Sequence, residues 1–165
     1  MIKLKKAKLS DIPAMQELVE EEVKNGVILK RSDDEVATNI RSYILAFKDN
    51  KLVGYGALHI HSPTLAEIRS LIVSKDARGL GVGKKIVEFC KNEAKELGVK
   101  EILVLTYIAD FFKKLGFFEI DKEKIPNHKI WLDCVKCIHF PVCNEIALIY
   151  EVKDWKKRVY IKLFL

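Results

Sequence analysis

Between residues 69 and 89 the chain reads "RSLIVSKDARGLGVGKKIVEF". Gly79, Gly81 and Gly83 stand here at alternate positions, in a chain that has only 8 glycines. A residue without Cβ tolerates positive φ and lets main-chain N–H groups approach a ligand closely. A helix starting just behind such a turn adds roughly half a positive charge at its N-terminus. Arg78, Lys84 and Lys85 strengthen the same field. The ligand best served is a diphosphate. Two common phosphate motifs do not fit. "GLGVGK" is one residue short of a P-loop and puts Lys85 where that motif needs a hydroxyl. The spacing G-x-G-x-G also differs from the dinucleotide pattern G-x-G-x-x-G.

Two further groupings could do chemistry. His59 and His61 alternate on an extended segment and therefore point to one face. A two-histidine metal site would need a third ligand, and none is evident nearby. The segment "DCVKCIHFPVC" holds Cys134, Cys137 and Cys143 with the spacing C-x2-C-x5-C. Two cysteines separated by two residues can chelate zinc, and His139, His128 or Asp133 could complete the set. A structural zinc, redox-sensitive thiols and packing thiols all remain open there.

The elements that must position these residues follow from composition and periodicity. At 165 residues and 49% hydrophobic content, one domain with a sizeable core is expected. No apolar run is long enough to span a membrane. The first residues, "MIKLKKAKLSDIP", carry no apolar stretch of a signal peptide. A cytoplasmic protein is expected, with cysteines as thiols or metal ligands. The net charge is +6, but "KDWKKRVYIKLFL" at residues 153–165 contributes +4 of it, leaving +2 on the other 152 residues. That body is too near neutral for a nucleic-acid footprint. The basic, apolar tail reads as an added edge strand or a pairing strand between subunits of a homodimer, rather than a membrane contact.

Apolar spacing predicts helices over residues 14–23, stopped by Gly26, from Ser32 to near Arg41 with a Ser32/Glu35 capping box, and over 84–97 ended by Gly98. "YILAFKDNKLVGYGALHIH" predicts two strands joined at Asp49-Asn50, and "LAEIRSLIV" a third after a turn at Ser62-Pro63. "EILVLTY" is apolar enough to be covered on both faces. A short helix "ADFFKKLG" and strands "FFEI", "KIWLDC" and "NEIALIYEV" follow. The expected fold class is α/β (α+β), a mixed, mostly antiparallel twisted sheet with helices on both faces.

The string "RGLGVG" matches R-x-x-G-x-G, the pyrophosphate loop of the GNAT acetyltransferases, and the apolar strand before it matches too. "GYGALHI", "AEIRSLIV" and "LVLTYIADFFKKLGFFEI" resemble the acetyltransferase domain of bacterial N-acetylglutamate synthases, and "VILKRSDDEVATNIRSYIL" resembles their substrate-side segment. The likeness covers about residues 1–150 and is nearest to the short, single-domain form, without the amino-acid kinase domain and its arginine feedback site. It implies a GNAT domain over residues 1–152 with a C-terminal extension at 153–165. It implies transfer of acetyl from acetyl-CoA to the α-amino group of L-glutamate, the first step of arginine biosynthesis.

The resemblance also distributes roles. Arg78, Gly79, Leu80, Gly81, Val82, Gly83 and Lys84 would hold the pyrophosphate. The strand carrying Leu71, Ile72 and Val73 would pair with the pantetheine amides, and an N–H near Leu71 or Ile72 would stabilise the oxyanion. Glu67 matches a family glutamate acting as base through water, and burial between Leu65, Ile68 and Leu71 would raise its pKa. The alternative for Glu67 is a solvent-facing partner of Arg69 or a lysine. Phe112 stands where many family members carry the tyrosine that protonates the leaving thiolate, so Thr106 and Tyr107 become the candidates. Arg31 matches a substrate-side arginine, with Arg69 and Arg41 as weaker readers of the acceptor's carboxylates. Acetylation of another small amine or a protein N-terminus, and a non-catalytic acetyl-CoA sensor, are the competing functions.

Overall fold

The computed structural model describes residues 1–24, 31–125 and 145–153. Its frame is one seven-stranded sheet in the order β1-β2-β3-β4-β5-β7-β6. The strands are β1 (Ile2–Lys6), β2 (Tyr43–Lys48), β3 (Lys51–Ile60), β4 (Leu65–Val73), β5 (Glu101–Thr106), β6 (Phe118–Ile120) and β7 (Ile146–Glu151). Helices α1 (Ile12–Lys24) and α2 (Asp33–Thr38) precede β2, α3 (Val82–Leu97) joins β4 to β5, and α4 (Ala109–Lys113) follows β5. Only β4 and β5 run parallel, because α3 carries the chain back between them. All other neighbouring strands are antiparallel.

Alternation divides the side chains between the two faces. On one face, Ile12, Met15 and Val19 of α1 and Val36 of α2 pack on Tyr43, Leu45, Tyr55, Ala57 and Ile72. On the other, Val82, Ile86, Val87, Cys90 and Ala94 of α3 pack on Ile44, Ala46, Leu58, Ala66 and Ile68. Each fully buried side chain of this size contributes about 1.5–3 kcal/mol. α3 lies close on β3 because Gly54 and Gly56 present no side chain to it. A Cβ on Gly56 would stand 2.9 Å from Ile86 Cγ2, and one on Gly54 would stand 2.9 Å from the Ile72 carbonyl oxygen.

The expected strands and turns recur with small shifts. Asp49 and Asn50 both take positive φ, as a tight hairpin turn requires. Ser32 Oγ accepts the Glu35 N–H at 3.2 Å, and Gly98 ends α3 with φ 86°. β1 is an addition: no element is expected at "IKLKK", yet it is an edge strand paired to β2. The helix expected to reach Arg41 ends at Thr38 and continues as a 3-10 turn over Ile40–Ser42. α3 begins at Val82, two residues before the expected start, so Gly83 is helical. The expected strand "KIWLDC", the stop at Gly26, the cysteines Cys134, Cys137 and Cys143, and the tail from residue 154 onward lie outside the described residues. Among the described residues, no helix is long and apolar enough to cross a membrane.

Candidate active site

The site forms where β4 and β5 part. Their pairing covers only Leu65–Glu67 against Glu101–Leu103, although β4 continues to Val73 and β5 to Thr106. From Ile68 onward the β5 side of β4 is therefore an open edge, able to accept an extended, amide-bearing ligand as a further strand. β4 is also bulged. Tyr55 pairs with Ile72 and Ala57 with Arg69, so Ser70 and Leu71 together face Gly56. Ser70 takes φ 55°, an uncommon value for a residue with a side chain. The extra residue shifts the alternation by one. Ala66 and Ile68 face α3 before the bulge, and Leu71 and Val73 face it afterwards.

The glycine loop closes the open end of this fork. Gly79 and Gly81 have φ 83° and 77°, and a Cβ on either would meet nothing within 4 Å. Packing therefore does not demand glycine there; backbone conformation and free space for a ligand do. Gly81 is the N-cap of α3, and the first bond of the helix runs from the Lys85 N–H to the Gly81 carbonyl at 3.0 Å. The N–H groups of Val82, Gly83 and Lys84 precede that bond and point outward from the helix start. Phe111 lies against the same place, its ring 3.2 Å from where a Gly83 Cβ would be, with Val73 beside it. This cradle fits a pyrophosphate followed by an extended pantetheine along β4.

Glu67 occupies the apex of the fork, as the last β4 residue paired to β5. It is 7% exposed. His61 Nε2 lies 2.8 Å from its Oε1, and Arg69 Nε donates to the same oxygen at 3.0 Å. Burial pushes the Glu67 carboxyl up, but the His61 hydrogen bond and the Arg69 guanidinium outweigh it and hold the group below its ordinary value. The expectation of a raised pKa is thus corrected: the apolar neighbours are real, but two donors converge on the carboxylate. Glu67 is both buried and paired with Arg69, which joins two readings that the sequence offered as alternatives.

On the same face, Tyr43 is hydrogen-bonded to Ser70, and burial raises its phenol against the opposing influence of Arg31, that bond and Arg69. Arg31 also acts on Tyr55, whose phenol is raised by burial and by Tyr43. The Arg31 side chain is 16% exposed, 3.7 Å from Glu35, and its carbonyl accepts from Gln16 Nε2 of α1 at 3.0 Å. The structure therefore gathers Arg31, Arg69, Tyr43, Ser70 and Glu67 on the α1 side, while the loop from Arg78 to Lys84 opens α3.

Thr106, Tyr107 and Phe112 belong to the β5–α4 corner. Thr106 is buried and its Oγ1 accepts the Ile108 N–H at 3.0 Å, so its first role is to hold the corner. Tyr107 is 45% exposed. Phe112 is buried among Phe111, Phe117 and the α3-side core. The α4 aromatic at the loop is Phe111 instead. His59 and His61 do share a face, their rings 4.7 Å apart. Among the described residues, no group of three His, Cys, Asp or Glu side chains could hold a metal. Sequence reasoning named His61 only as half of a histidine pair, not as the partner of Glu67, and missed Tyr43 and Ser70 as site residues. The period-two pattern opposite Glu67 marks His61, whereas nothing in the sequence marks the bulge at Ser70.

Residues 12–117 match the Acetyltransferase (GNAT) family. The chain belongs to that family. It is an acetyl-CoA-dependent N-acetyltransferase. An uncharacterized N-acetyltransferase of Chlorobaculum tepidum is 37% identical over 146 residues, 88% of this chain and 94% of that protein. An amino-acid acetyltransferase of Mycobacterium tuberculosis is 31% identical over 121 residues, 72% of this chain and 69% of that protein. One from Pasteurella multocida is 29% identical, and the chain spans 28% of its length. Among solved structures, N-acetylglutamate synthase from Neisseria gonorrhoeae, complexed with coenzyme A and N-acetyl-glutamate, superposes with TM-score 0.82 at 21% identity. That match covers 92% of this chain and 35% of the synthase, and it speaks for the fold.

Proposed function

We propose that this acetyltransferase acetylates the α-amino group of L-glutamate, with Glu67 as base. The observation that carries the reading is the position of Glu67. It stands at the fork between an open strand edge fit for acetyl-CoA and a face bearing Arg31 and Arg69. Relatives named amino-acid acetyltransferases support an amino-acid acceptor. Two arginines near the acceptor's path suit a dicarboxylate. Arg31 is the better reader, because Arg69 Nε is already committed to Glu67.

The chemistry balances with the residues present. The acceptor arrives as an ammonium and gives one proton to Glu67, directly or through water. Its lone pair then attacks the thioester carbon. The oxyanion is held by a main-chain N–H of β4 near Leu71 or Ile72. As the carbon–sulfur bond breaks, the nitrogen gives up its second proton and the departing sulfur takes one, with Tyr107 as the candidate relay that donates to the thiolate and is reprotonated, through water, by the nitrogen's proton.

The test is thiol release from acetyl-CoA with a panel of free amino acids, polyamines and short peptides. L-Glutamate is expected to give the highest kcat/KM. A polyamine or peptide in first place would keep the acetyl transfer and discard the acceptor. Binding of acetyl-CoA without turnover would move the protein to the sensor class.

A further inference from the structure

Glu67 is a base with an oddly crowded oxygen. Among the described residues it has two hydrogen bonds, with His61 Nε2 at 2.8 Å and Arg69 Nε at 3.0 Å, and both end on Oε1. Among the described residues, no buried side-chain oxygen is left without a partner. Oε2 has no hydrogen bond among the described residues and is not sealed from the surface, so it is the oxygen left accessible to an acceptor. An ionised carboxylate only accepts, which places the proton of the histidine contact on Nε2. The His61 side chain is 3% exposed, too enclosed to serve as a surface charge. It is fixed by the turn after β3, where the His61 N–H donates to the Leu65 carbonyl at 2.9 Å.

We propose that His61 is a positioning residue for acetyl transfer: its Nε2–H, with Arg69, pins Oε1 of Glu67 and leaves Oε2 as the atom that takes the acceptor's proton. This rests on the reading of Glu67 as base. No new bond is made by His61, and the ammonium proton still ends on Oε2. Without His61, the carboxylate can turn about its terminal bond and share both oxygens with Arg69, so the aim of Oε2 is lost. The donor also favours the ionised carboxylate, so removing it shifts the titration of Glu67 upward. Among the described residues, the other strand neighbours of Glu67 are His59, paired with it from β3, Arg69 on its own strand, and Leu103, paired with it from β5.

The experiment compares His61→Leu, His61→Asn and His61→Gln, using the acceptor amine that turns over best. Gln carries a donor at a reach close to that of Nε2, whereas Asn is too short. Leu and Asn are expected to lower kcat at least about tenfold while KM for acetyl-CoA changes less than about twofold. The acidic limb of the kcat profile should move to higher pH. His61→Gln should restore most of the rate. In a Glu67→Gln background, His61→Leu should cost nothing further. A carbon-13 titration of the Glu67 carboxyl, independent of turnover, should show its midpoint rise in His61→Leu. If Leu does not fold, the Asn and Gln pair carries the comparison. Wild-type kcat and an unmoved midpoint in the Leu or Asn variant would overturn the proposal. So would a loss in Gln as large as that in Leu that persists in the Glu67→Gln background. Wild-type turnover by Glu67→Gln alone would instead overturn the base assignment on which it stands.

Discussion

Glu67 is held between two opposing influences, and their balance can be tested by pH. Burial disfavours its charge, while His61 and Arg69 favour it more strongly, so its pKa is lowered on folding. A carboxyl whose pKa falls on folding stabilises the protein above its unfolded value. That contribution is lost as pH falls through the folded value. Wild type should therefore lose more stability than Glu67→Gln as pH falls below about 4.5, measured by denaturant melts at each pH. Parallel losses in the two proteins would mean that the ion pair does not form. Arg31 gives the second residue-scale prediction. Arg31→Ala should raise KM for the acceptor at least about tenfold and leave KM for acetyl-CoA nearly unchanged, since a desolvated carboxylate contact is worth about 1.5–3 kcal/mol. Cys90 gives a third. Burial, and to a lesser degree Glu93, push its thiol up to about 12, with Lys6 opposing. Peptide mass mapping should find it unalkylated in the folded protein at neutral pH and alkylated after unfolding.

At the scale of elements, two kinds of glycine do different work. Gly54 lies under α3, where a Cβ would stand 2.9 Å from a main-chain oxygen that cannot easily move. Gly54→Ala should cost about 1–3 kcal/mol, seen as a lowered Tm. Gly81→Ala meets open space but must keep φ 77°. It should cost about 1–2 kcal/mol of stability and weaken coenzyme A binding by more than that cost, because the new methyl group enters the cradle. Calorimetric Kd values read against Tm separate the two effects. The loop, α3 and β4 were legible because glycine spacing and apolar periodicity are local signals. β1 was not, because its pairing with β2 is a long-range contact that lets a Lys-rich edge strand form. The bulge at Ser70 was hidden for a related reason. It is imposed by the register between β3 and β4, and Ser carries no signature of positive φ.

At the scale of the whole molecule, the sheet has two differently equipped faces, and in the proposed reading each serves one substrate. α3 and the glycine loop lie on one side, and Arg31, Tyr43 and Tyr55 lie on the other. β4 and β5 part beside Glu67, and in the proposed reading that is where the acetyl group meets the acceptor. Glu67, Arg31 and the loop were visible in the sequence through their likeness to a family, and the structure puts Glu67 where β4 and β5 part, with Arg31 beside Tyr43 and Tyr55 and the loop at the start of α3. The sign of the Glu67 shift was not visible, because His61 and Arg69 reach the same oxygen only in three dimensions. The most direct measurement is therefore on Glu67→Gln: the Kd for acetyl-CoA by calorimetry alongside kcat for acetyl transfer. The account predicts an unchanged Kd and a kcat lower by about 100-fold or more. A variant that binds acetyl-CoA normally and turns over at the wild-type rate would contradict it.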